Sequence, residues 1–267
     1  MASDPTATLS RLLGNTTIVD HEEVLKATNA ILKKKKGDFD ALHTRVVALL
    51  KLDRYADALR ALDEGGDRLA EVCTFERAYA LYKTGELKQA SQIYESLKSG
   101  KKGRALAHVA AQAAYKSEDN KRAAELYSEL RKRQSVIEGE TNDIRINSLA
   151  IAAQNEWAGN GYLVRADEKS PQREDLDAFE LCYNHACACI ARGDLKAGLM
   201  MLQRAKTLCE NIDDLTDEEK RAEILPMMVQ EVYALTKLGE FEKAAAIERD
   251  ISISECVIML SCCDFMN

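Results

Sequence analysis

The stretch FELCYNHACACIARGDLKAGLMMLQRAKTLCE, residues 179–210, decides the fold. Its small and apolar side chains recur three and four residues apart, which is the one-sided period of a helix. Gly193 interrupts the pattern, since glycine adopts the left-handed backbone that ends helices, and a second periodic run follows. Because the break is short, the two helices are predicted to pack antiparallel as a hairpin. Small residues are expected where the two backbones approach closely, at Ala186, Gly198 and Ala205.

Weaker versions of this hairpin turn recur along the chain. The copies are KLDRYADA (51–58), KTGELKQA (83–90), KSEDNKRA (116–123), RGDLKAG (192–198) and KLGEFEKA (237–244). In the first three copies the final alanines, Ala58, Ala90 and Ala123, lie 32 and 33 residues apart. This period is close to that of the tetratricopeptide repeat (TPR), a pair of helices that stacks on its neighbours. The pattern predicts an all-α TPR solenoid superhelix of about six degenerate helical hairpins.

The composition divides the chain into three regions. Residues 1–20 are weakly patterned, residues 21–252 carry the predicted TPR solenoid, and residues 253–267 form an atypical apolar, cysteine-rich tail. The tail fits a final capping segment, a strip that docks a partner, or a sequence artefact. Within the solenoid, residues 158–175 are rich in charge and glycine, so a long loop is expected, with disorder favoured over order. Pro226 is expected in the first turn of a helix, where its missing N–H costs little.

Composition and charge argue against several classes of protein. The 267 residues are 46% hydrophobic and 30% charged, with 3 prolines, as in a helical protein with few turns. The net charge of −7 argues against a nucleic-acid surface, and Lys33–Lys36 is interpreted as a solvated helix end. No run of about 18 apolar residues is present, so no membrane insertion is expected. The start lacks the pattern of a signal peptide, so the 8 cysteines are expected in a reducing compartment, the cytoplasm.

The residues that could carry chemistry form no catalytic pattern. Cys182, His185, Cys187 and Cys189 come closest to a metal site, but a zinc site needs a second converging pair, so a packed core is favoured. No residue beside a histidine matches a nucleophile motif, and no glycine-rich phosphate loop follows a strand. No cofactor, metal or enzymatic activity is therefore expected, and a helical metal- or thiol-dependent enzyme is the alternative.

The concave side of the predicted superhelix is the candidate binding site, because the first helix of each stacked hairpin lines it. The groove residues predicted from the repeat register are His43, Phe75, Tyr79, Tyr82, His108, Gln112, Tyr115, Asn147, Gln154, Tyr183, Asn184 and Tyr233. Tyrosines give contact area with a polar handle and amides bond a peptide backbone, so these residue types suit peptide capture. The alternative is that tyrosines such as Tyr79 and Tyr115 only pack between adjacent hairpins. The lysine–asparagine pattern that grips a free carboxyl terminus is missing, which favours an internal segment of a partner.

Three stretches carry a more specific resemblance. They are ELCYNHACACIARGDLKAGLMMLQRAKTLCE (180–210), DFDALHTRVVALLKLDRYADAL (38–59) and TNDIRINSLAIAAQNEW (141–157). Over about residues 20–250 the chain resembles the family of 72-kilodalton TPR subunits of the eukaryotic signal recognition particle.

The resemblance implies a function and a partner. It implies that the TPR groove clasps a segment of the 68-kilodalton subunit, in a ribonucleoprotein for co-translational protein targeting to the endoplasmic reticulum. It also implies a cytoplasmic location, with passage through the nucleolus during assembly. The family contacts RNA through a basic region after the repeats. No such region is present here, so RNA is expected to be bound only indirectly. A TPR chaperone adaptor, or another peptide-binding module, is the alternative within binding proteins.

Overall fold

The computed structural model describes residues 20–100, 102–132 and 140–251, and in these ranges the chain is helical with short connections. The predicted segments 1–20 and 253–267 lie outside the described residues, except for Asp20. The chain forms two compact units, of which unit 1 extends to Leu126 and unit 2 begins at Tyr127. This helical content confirms the predicted all-α class of the fold.

Unit 1 consists of consecutive short helices. These are α1 (His21–Lys34), α2 (Phe39–Lys51), α3 (Tyr55–Glu64), α4 (Gly66–Val72), α5 (Thr74–Thr84), α6 (Leu87–Leu97), α7 (Gly103–Lys116) and α8 (Asn120–Lys132), which continues into unit 2. Side-chain caps fix two of the starts: Asp20 accepts from the Glu23 N–H at 2.9 Å, and Asp38 from the Ala41 N–H at 3.1 Å. The buried core includes Val46, Leu49 and Leu62, together with Leu69 in the middle of α4 and Cys73 directly after it.

Unit 2 contains the longer helices. These are α9 (Glu140–Trp157), α10 (Ala166–Lys169), α11 (Phe179–Ala191), α12 (Leu195–Glu210), α13 (Asp217–Lys237) and α14, which is helical from 241 to 251. Helix α11 packs on both α9 and α12, and α12 packs on α13. The expected position of Pro226 is wrong, because α13 begins nine residues earlier. Thr216 and Glu219 form a capping box there, and this stabilises a start well before the proline.

Six helices in the described residues end in the same turn, in which a backbone N–H donates to the carbonyl five residues earlier. The bonds are Arg54–Leu49 (2.9 Å), Glu86–Leu81 (2.8 Å), Asp119–Ala114 (2.9 Å), Asn160–Asn155 (2.7 Å), Asp194–Cys189 (2.9 Å) and Glu240–Leu235 (2.9 Å). The residue before each donor has a positive φ, at Asp53, Gly85, Glu118, Gly159, Gly193 and Gly239. This turn aligns α2, α5, α7, α9, α11 and α13 as the first helices of successive hairpins.

The small residues of the repeated motif lie in the core, as predicted. Ala58, Ala90, Ala123, Gly198 and Ala244 are all buried. At Gly198 a Cβ atom would lie 2.5 Å from Ile190 Cγ1 and 3.3 Å from the Ala186 carbonyl. Glycine at 198 therefore permits the close packing of α11 and α12, which confirms the predicted hairpin.

The 158–175 segment is folded, so the expectation of disorder is wrong. It contains two 3₁₀ turns, Gly161–Leu163 and Arg173–Asp175, on either side of α10. Val164 within the segment and Leu176 directly after it are buried, at 7% and 3% exposure. The turn at Gly159 marks α9 as the first helix of a fourth hairpin, and the segment stands in the sequence where its second helix would be expected.

Arginines from flanking helices hold this segment in place. Arg131 of α8 pairs with Asp167 (Nη2 to Oδ2, 2.8 Å) and with Glu168 (Nη1 to Oε1, 3.1 Å). Arg204 of α12 donates from Nη2 to the Leu176 carbonyl at 3.0 Å. An irregular backbone lacks the internal hydrogen bonds of a helix, so charged donors from outside satisfy groups that would otherwise be left without partners.

Candidate protein-binding surface

The turn register places seven of the predicted groove residues on unit 1, and we call this set the aromatic face. It comprises His43 on α2, Phe75, Tyr79 and Tyr82 on α5, and His108, Gln112 and Tyr115 on α7. Helix α5 contacts both α2 and α7. On α5 and on α7 the residues recur at i, i+4 and i+7, so they share one side of the helix. All seven are half-buried except Tyr115, which is 39% exposed. The structure therefore keeps all of them out of the core.

Tyr79 lies at the centre of a ring cluster. Its ring centroid is 6.3 Å from that of Phe75 in a stacked arrangement and 6.5 Å from that of Tyr82. A third ring, Tyr55 at the start of α3, meets it edge-on at 6.0 Å. Such pairs stabilise the cluster beyond the area that they bury. Tyr79 thus packs between neighbouring hairpins while its half-buried ring still reaches the surface.

Tyr55 belongs to this cluster, although the register did not predict it. Its hydroxyl donates to the Asp53 carboxylate in the turn, and this hydrogen bond is the main reason that the pKa of Tyr55 is raised. The ionised phenolate is therefore disfavoured, and the ring stays neutral at physiological pH. The signal was present in the sequence, because Tyr55 is the aromatic residue of the first copy of the repeated motif.

Lysine side chains lie over these rings. Lys83 Nζ is 5.4 Å from the centroid of Tyr55 and 5.8 Å from that of Tyr79. Lys116 Nζ on α7 is 5.4 Å from the centroid of Tyr82 on α5, which links two neighbouring hairpins. Ammonium groups at this distance are attracted to the negative face of the ring. The aromatic face is therefore edged by positive charge, a feature that the predicted groove residues did not include.

Three predicted residues of unit 2 lie on α11 and α13. Tyr183 is half-buried against the core, and Asn184 donates from Nδ2 to the Ile146 carbonyl of α9 at 3.0 Å. Tyr233 is 37% exposed and meets the ring of Trp157 edge-on at 5.6 Å. Asn184 thus fastens α11 to α9, whereas Tyr233 presents part of its ring at the surface of unit 2.

The two predicted residues of α9 are placed differently. Asn147 is half-buried and Gln154 is exposed. The turn at Gly159, however, aligns Leu149 with Phe75 and Ala153 with Tyr79, and both Leu149 and Ala153 are buried. Asn147 and Gln154 therefore lie off the positions that are equivalent to the aromatic face.

The chain matches a known family over the region that contains this face. The family model SRP_TPR_like, a TPR-like repeat, matches residues 17–154, which is more than half of the chain. The chain belongs to this family. The matched residues include the whole aromatic face of unit 1, and they end within α9.

Relatives of this TPR-like chain include subunits of the signal recognition particle. The subunits SRP72 of Canis lupus familiaris and of Homo sapiens are each 28% identical to it over 239 residues. In both cases the similarity covers 87% of this chain and 34% of the relative. SRP72 of Caenorhabditis elegans is 29% identical over 231 residues, which is 85% of this chain. The chain thus spans about a third of the length of these relatives.

A separate cavity of about 580 Å³ in unit 2 lies between the 158–175 segment and the α11–α12 hairpin. Leu176, Met200 and Met201 form part of its wall, beside Arg204 and His185. Burial lowers the pKa of His185, assisted by the nearby Arg192 charge, so its imidazole is held neutral. None of the predicted groove residues lines this cavity.

The cysteines in the described residues are free thiols. Burial raises the pKa of the Cys73 and Cys187 thiols to about 11, and it also raises the pKa of Cys182 and Cys189. Such thiols carry little thiolate at neutral pH and are poor nucleophiles and metal ligands. Over the described ranges, no group of three or more His, Cys, Asp or Glu side chains could hold a metal ion. Within the same ranges, no helix combines the length and apolarity needed to cross a bilayer.

Proposed function

We propose that this chain is a non-catalytic, protein-binding module of the signal recognition particle. It holds an internal segment of the 68-kilodalton subunit against the first helices of its hairpins and so supports co-translational targeting to the endoplasmic reticulum. The assignment to the signal recognition particle is supported by the relatives, which are SRP72 subunits of that particle. The ring cluster on unit 1 supports protein binding, and it is the observation that carries the proposal. The module acts in the cytoplasm, passes through the nucleolus during assembly, and approaches RNA only through its partner.

The ring cluster suits recognition because it is ordered before the ligand arrives. Tyr79 is fixed by three ring neighbours, so little side-chain entropy is lost when a partner covers it. Tyr82 is already under Lys116 of the next hairpin. Tyrosines placed in this way are typical anchors of interfaces, where removing one costs about 2 kcal/mol or more. The exposed Tyr115 and the half-buried Gln112 on α7 extend the surface towards the end of unit 1.

Recognition here involves no bond-making. Aromatic rings supply apolar contact area, while the Gln112 amide and the tyrosine hydroxyls can pair with the backbone of a bound segment. An internal segment binds in this way without needing a terminal carboxylate. The module therefore stabilises an assembly by contact alone.

The test is co-purification of the full chain with the 68-kilodalton subunit, followed by titration calorimetry. Tyr115→Ala removes an exposed ring that has no ring neighbour within the described part of the chain, so it should weaken binding by about thirtyfold and leave folding intact. Tyr79→Ala and Tyr183→Ala should also weaken binding, with some loss of stability. Tyr162→Ala is the matched control, because Tyr162 is 77% exposed and lies in the 158–175 segment. Unchanged affinity in all three tyrosine variants, with normal circular dichroism, would refute the surface. A chain that fails to associate with the subunit at all would refute the partner.

A further inference from the structure

A row of lysines borders the aromatic face of unit 1. Lys51, Lys83 and Lys116 each stand two residues before the left-handed residue of the turn that ends α2, α5 and α7, and they lie 32 and 33 residues apart. All three are exposed. They are also the first letters of the first three copies of the repeated motif. We call these three residues the lysine row.

The lysine row has no carboxylate partner in the described part of the chain, unlike many other cations of unit 1. Arg54 pairs with Asp57 at 2.7 Å, and Arg77 pairs with Asp63 at 2.7 Å. Of the acids that follow these lysines in the turns, Asp53 accepts from the Tyr55 hydroxyl, Glu86 from the Gln89 amide, and Asp119 from the Arg122 N–H. Within the described residues the three ammonium groups therefore form no ion pair, and they border an aromatic surface in a chain whose net charge is −7.

The distance between neighbouring lysines of the row determines the spacing of the carboxylates in a ligand that pairs with them. Helices in contact lie about 8–10 Å apart, and the three lysines stand at one position on helices that contact in sequence, α2 with α5 and α5 with α7. A chain in the extended polyproline II conformation advances about 3.1 Å per residue with three residues per turn, so every third residue lies on one side of it and falls opposite the next lysine. The side chains between those residues would lie towards the rings of Tyr79, Tyr82 and Tyr115.

We infer that the segment held by unit 1 is extended and acidic. In a polyproline II conformation it carries a carboxylate at about every third residue to face Lys51, Lys83 and Lys116, and apolar side chains in between to cover the tyrosines. This inference rests on the proposed function, since it describes the ligand of the same surface. It goes further by assigning the lysine row a role in choosing the partner, through charge complementarity.

Single-stranded RNA also combines negative charge with planar groups, but the ring geometry favours a peptide. Base stacking needs open ring faces. The faces in this cluster are taken up by neighbours: Phe75 stacks on Tyr79, Lys83 lies over Tyr79 and Tyr55, and Lys116 lies over Tyr82. A patch of three lysines is also small compared with the clustered cations of RNA-binding surfaces.

The experiment measures fluorescence anisotropy of the full chain with four labelled probes at low salt. Three are twelve-residue peptides, built from Glu-Leu-Ser, Gln-Leu-Ser or Lys-Leu-Ser repeated, and the fourth is an oligouridine of equal length. The glutamate peptide should bind about tenfold more tightly than the glutamine peptide, and the lysine peptide most weakly, with the preference shrinking at about 0.3 M salt. The combined variant Lys51→Gln, Lys83→Gln, Lys116→Gln should abolish the preference. The combined variant Lys33→Gln, Lys88→Gln, Lys121→Gln changes net charge equally at exposed lysines outside the row and should retain it.

Equal binding of the glutamate and glutamine peptides, or no binding of either at about 1 mM, would overturn the inference. So would a preference that survives loss of the lysine row, or oligouridine binding more tightly than the glutamate peptide. A parallel arm titrates the 68-kilodalton subunit into the wild-type chain. Failure of that arm alone refutes the proposed partner while leaving the acidic preference standing. Failure of the peptide arms alone refutes the acidic preference and leaves the proposed partner standing.

Discussion

The repeated helix-ending turn makes a sharp prediction at Glu118. This residue has a φ of 62°, whereas four of the six equivalent turns in the described residues place glycine there. A left-handed backbone costs an L-residue about 1–2 kcal/mol. Replacing Glu118 by glycine removes that cost but adds about 0.5–1 kcal/mol of freedom to the unfolded chain. Glu118→Gly should therefore raise the free energy of unfolding by about 0.5–1 kcal/mol.

Gly85 supplies the matched opposite change within unit 1. Its φ is 89°, and a Cβ atom added there would have no neighbour within 4 Å. Any effect of Gly85→Ala must therefore come from the backbone and not from packing. The variant should lose about as much stability as Glu118→Gly gains, because the two terms act with reversed sign.

Both variants can be measured by urea unfolding of the full chain, followed by circular dichroism. With a slope of about 2 kcal/mol/M, the expected change moves the midpoint by about 0.3–0.5 M, upwards for Glu118→Gly and downwards for Gly85→Ala. The slope itself should stay constant. Midpoints that move in the same direction for both variants would refute the assignment of one left-handed position to every turn. A lower midpoint for Glu118→Gly would refute the estimate of strain.

Other predictions concern unit 2. Gly198→Ala should lower the free energy of unfolding by about 1–2 kcal/mol, although alanine favours helices, because its Cβ would lie 2.5 Å from Ile190 Cγ1; a stable variant would show that Ile190 can move aside. Arg131→Gln should speed trypsin cleavage within the 158–175 segment by about tenfold, while Arg122→Gln, which removes the ion pair with Glu95 in unit 1, should not. The depressed pKa of the half-buried His185 means that its neutral form is favoured on folding. This stability is fully present above the ordinary pKa of about 6.5 and is lost as the pH falls towards the folded pKa, so urea midpoints should fall between about pH 7 and 5, and less steeply in His185→Gln.

The hairpins could be predicted from the sequence because their signals are local. The period of small residues and the turn at Gly193 both act within a few residues, and the structure buries Ala186, Gly198 and Ala205 as expected. Helix α4 has only seven residues, too few to show a period, and it is anchored by the single buried Leu69.

The order of the 158–175 segment was not accessible from composition. Its stability comes from partners far away in the sequence: Arg131 lies 36 and 37 residues before the carboxylates that it binds, and Arg204 lies 28 residues after the Leu176 carbonyl. Local composition registers charge and glycine but not the arginines that pair with them. The predicted start of α13 was wrong although its signal is local. The capping box at Thr216 determines where this helix begins, and it outweighs the preference of Pro226 for a first turn.

The candidate site was predictable in part. Tyr79, Tyr82 and Tyr115 follow from counting repeat positions, and the structure leaves them at the surface of unit 1. The ring neighbours of these tyrosines and the lysine row were not predicted from the sequence, although Tyr55 and Lys83 lie inside the motif that defines the repeat. The small residues of the motif indicate the fold, whereas its variable residues form the contacts at the surface.

The register also shows where the candidate surface stops. At the position of Phe75 and Tyr79, α9 carries Leu149 and Ala153, and both side chains are buried in unit 2. A first helix with these residues offers a ligand neither a ring nor a donor, so the stripe of aromatic and amide side chains is interrupted after α7. Because α5 and α7 each carry three of these side chains and α2 adds His43, we expect binding energy to concentrate on unit 1. The partly exposed Tyr233 of unit 2 would then act as a separate contact.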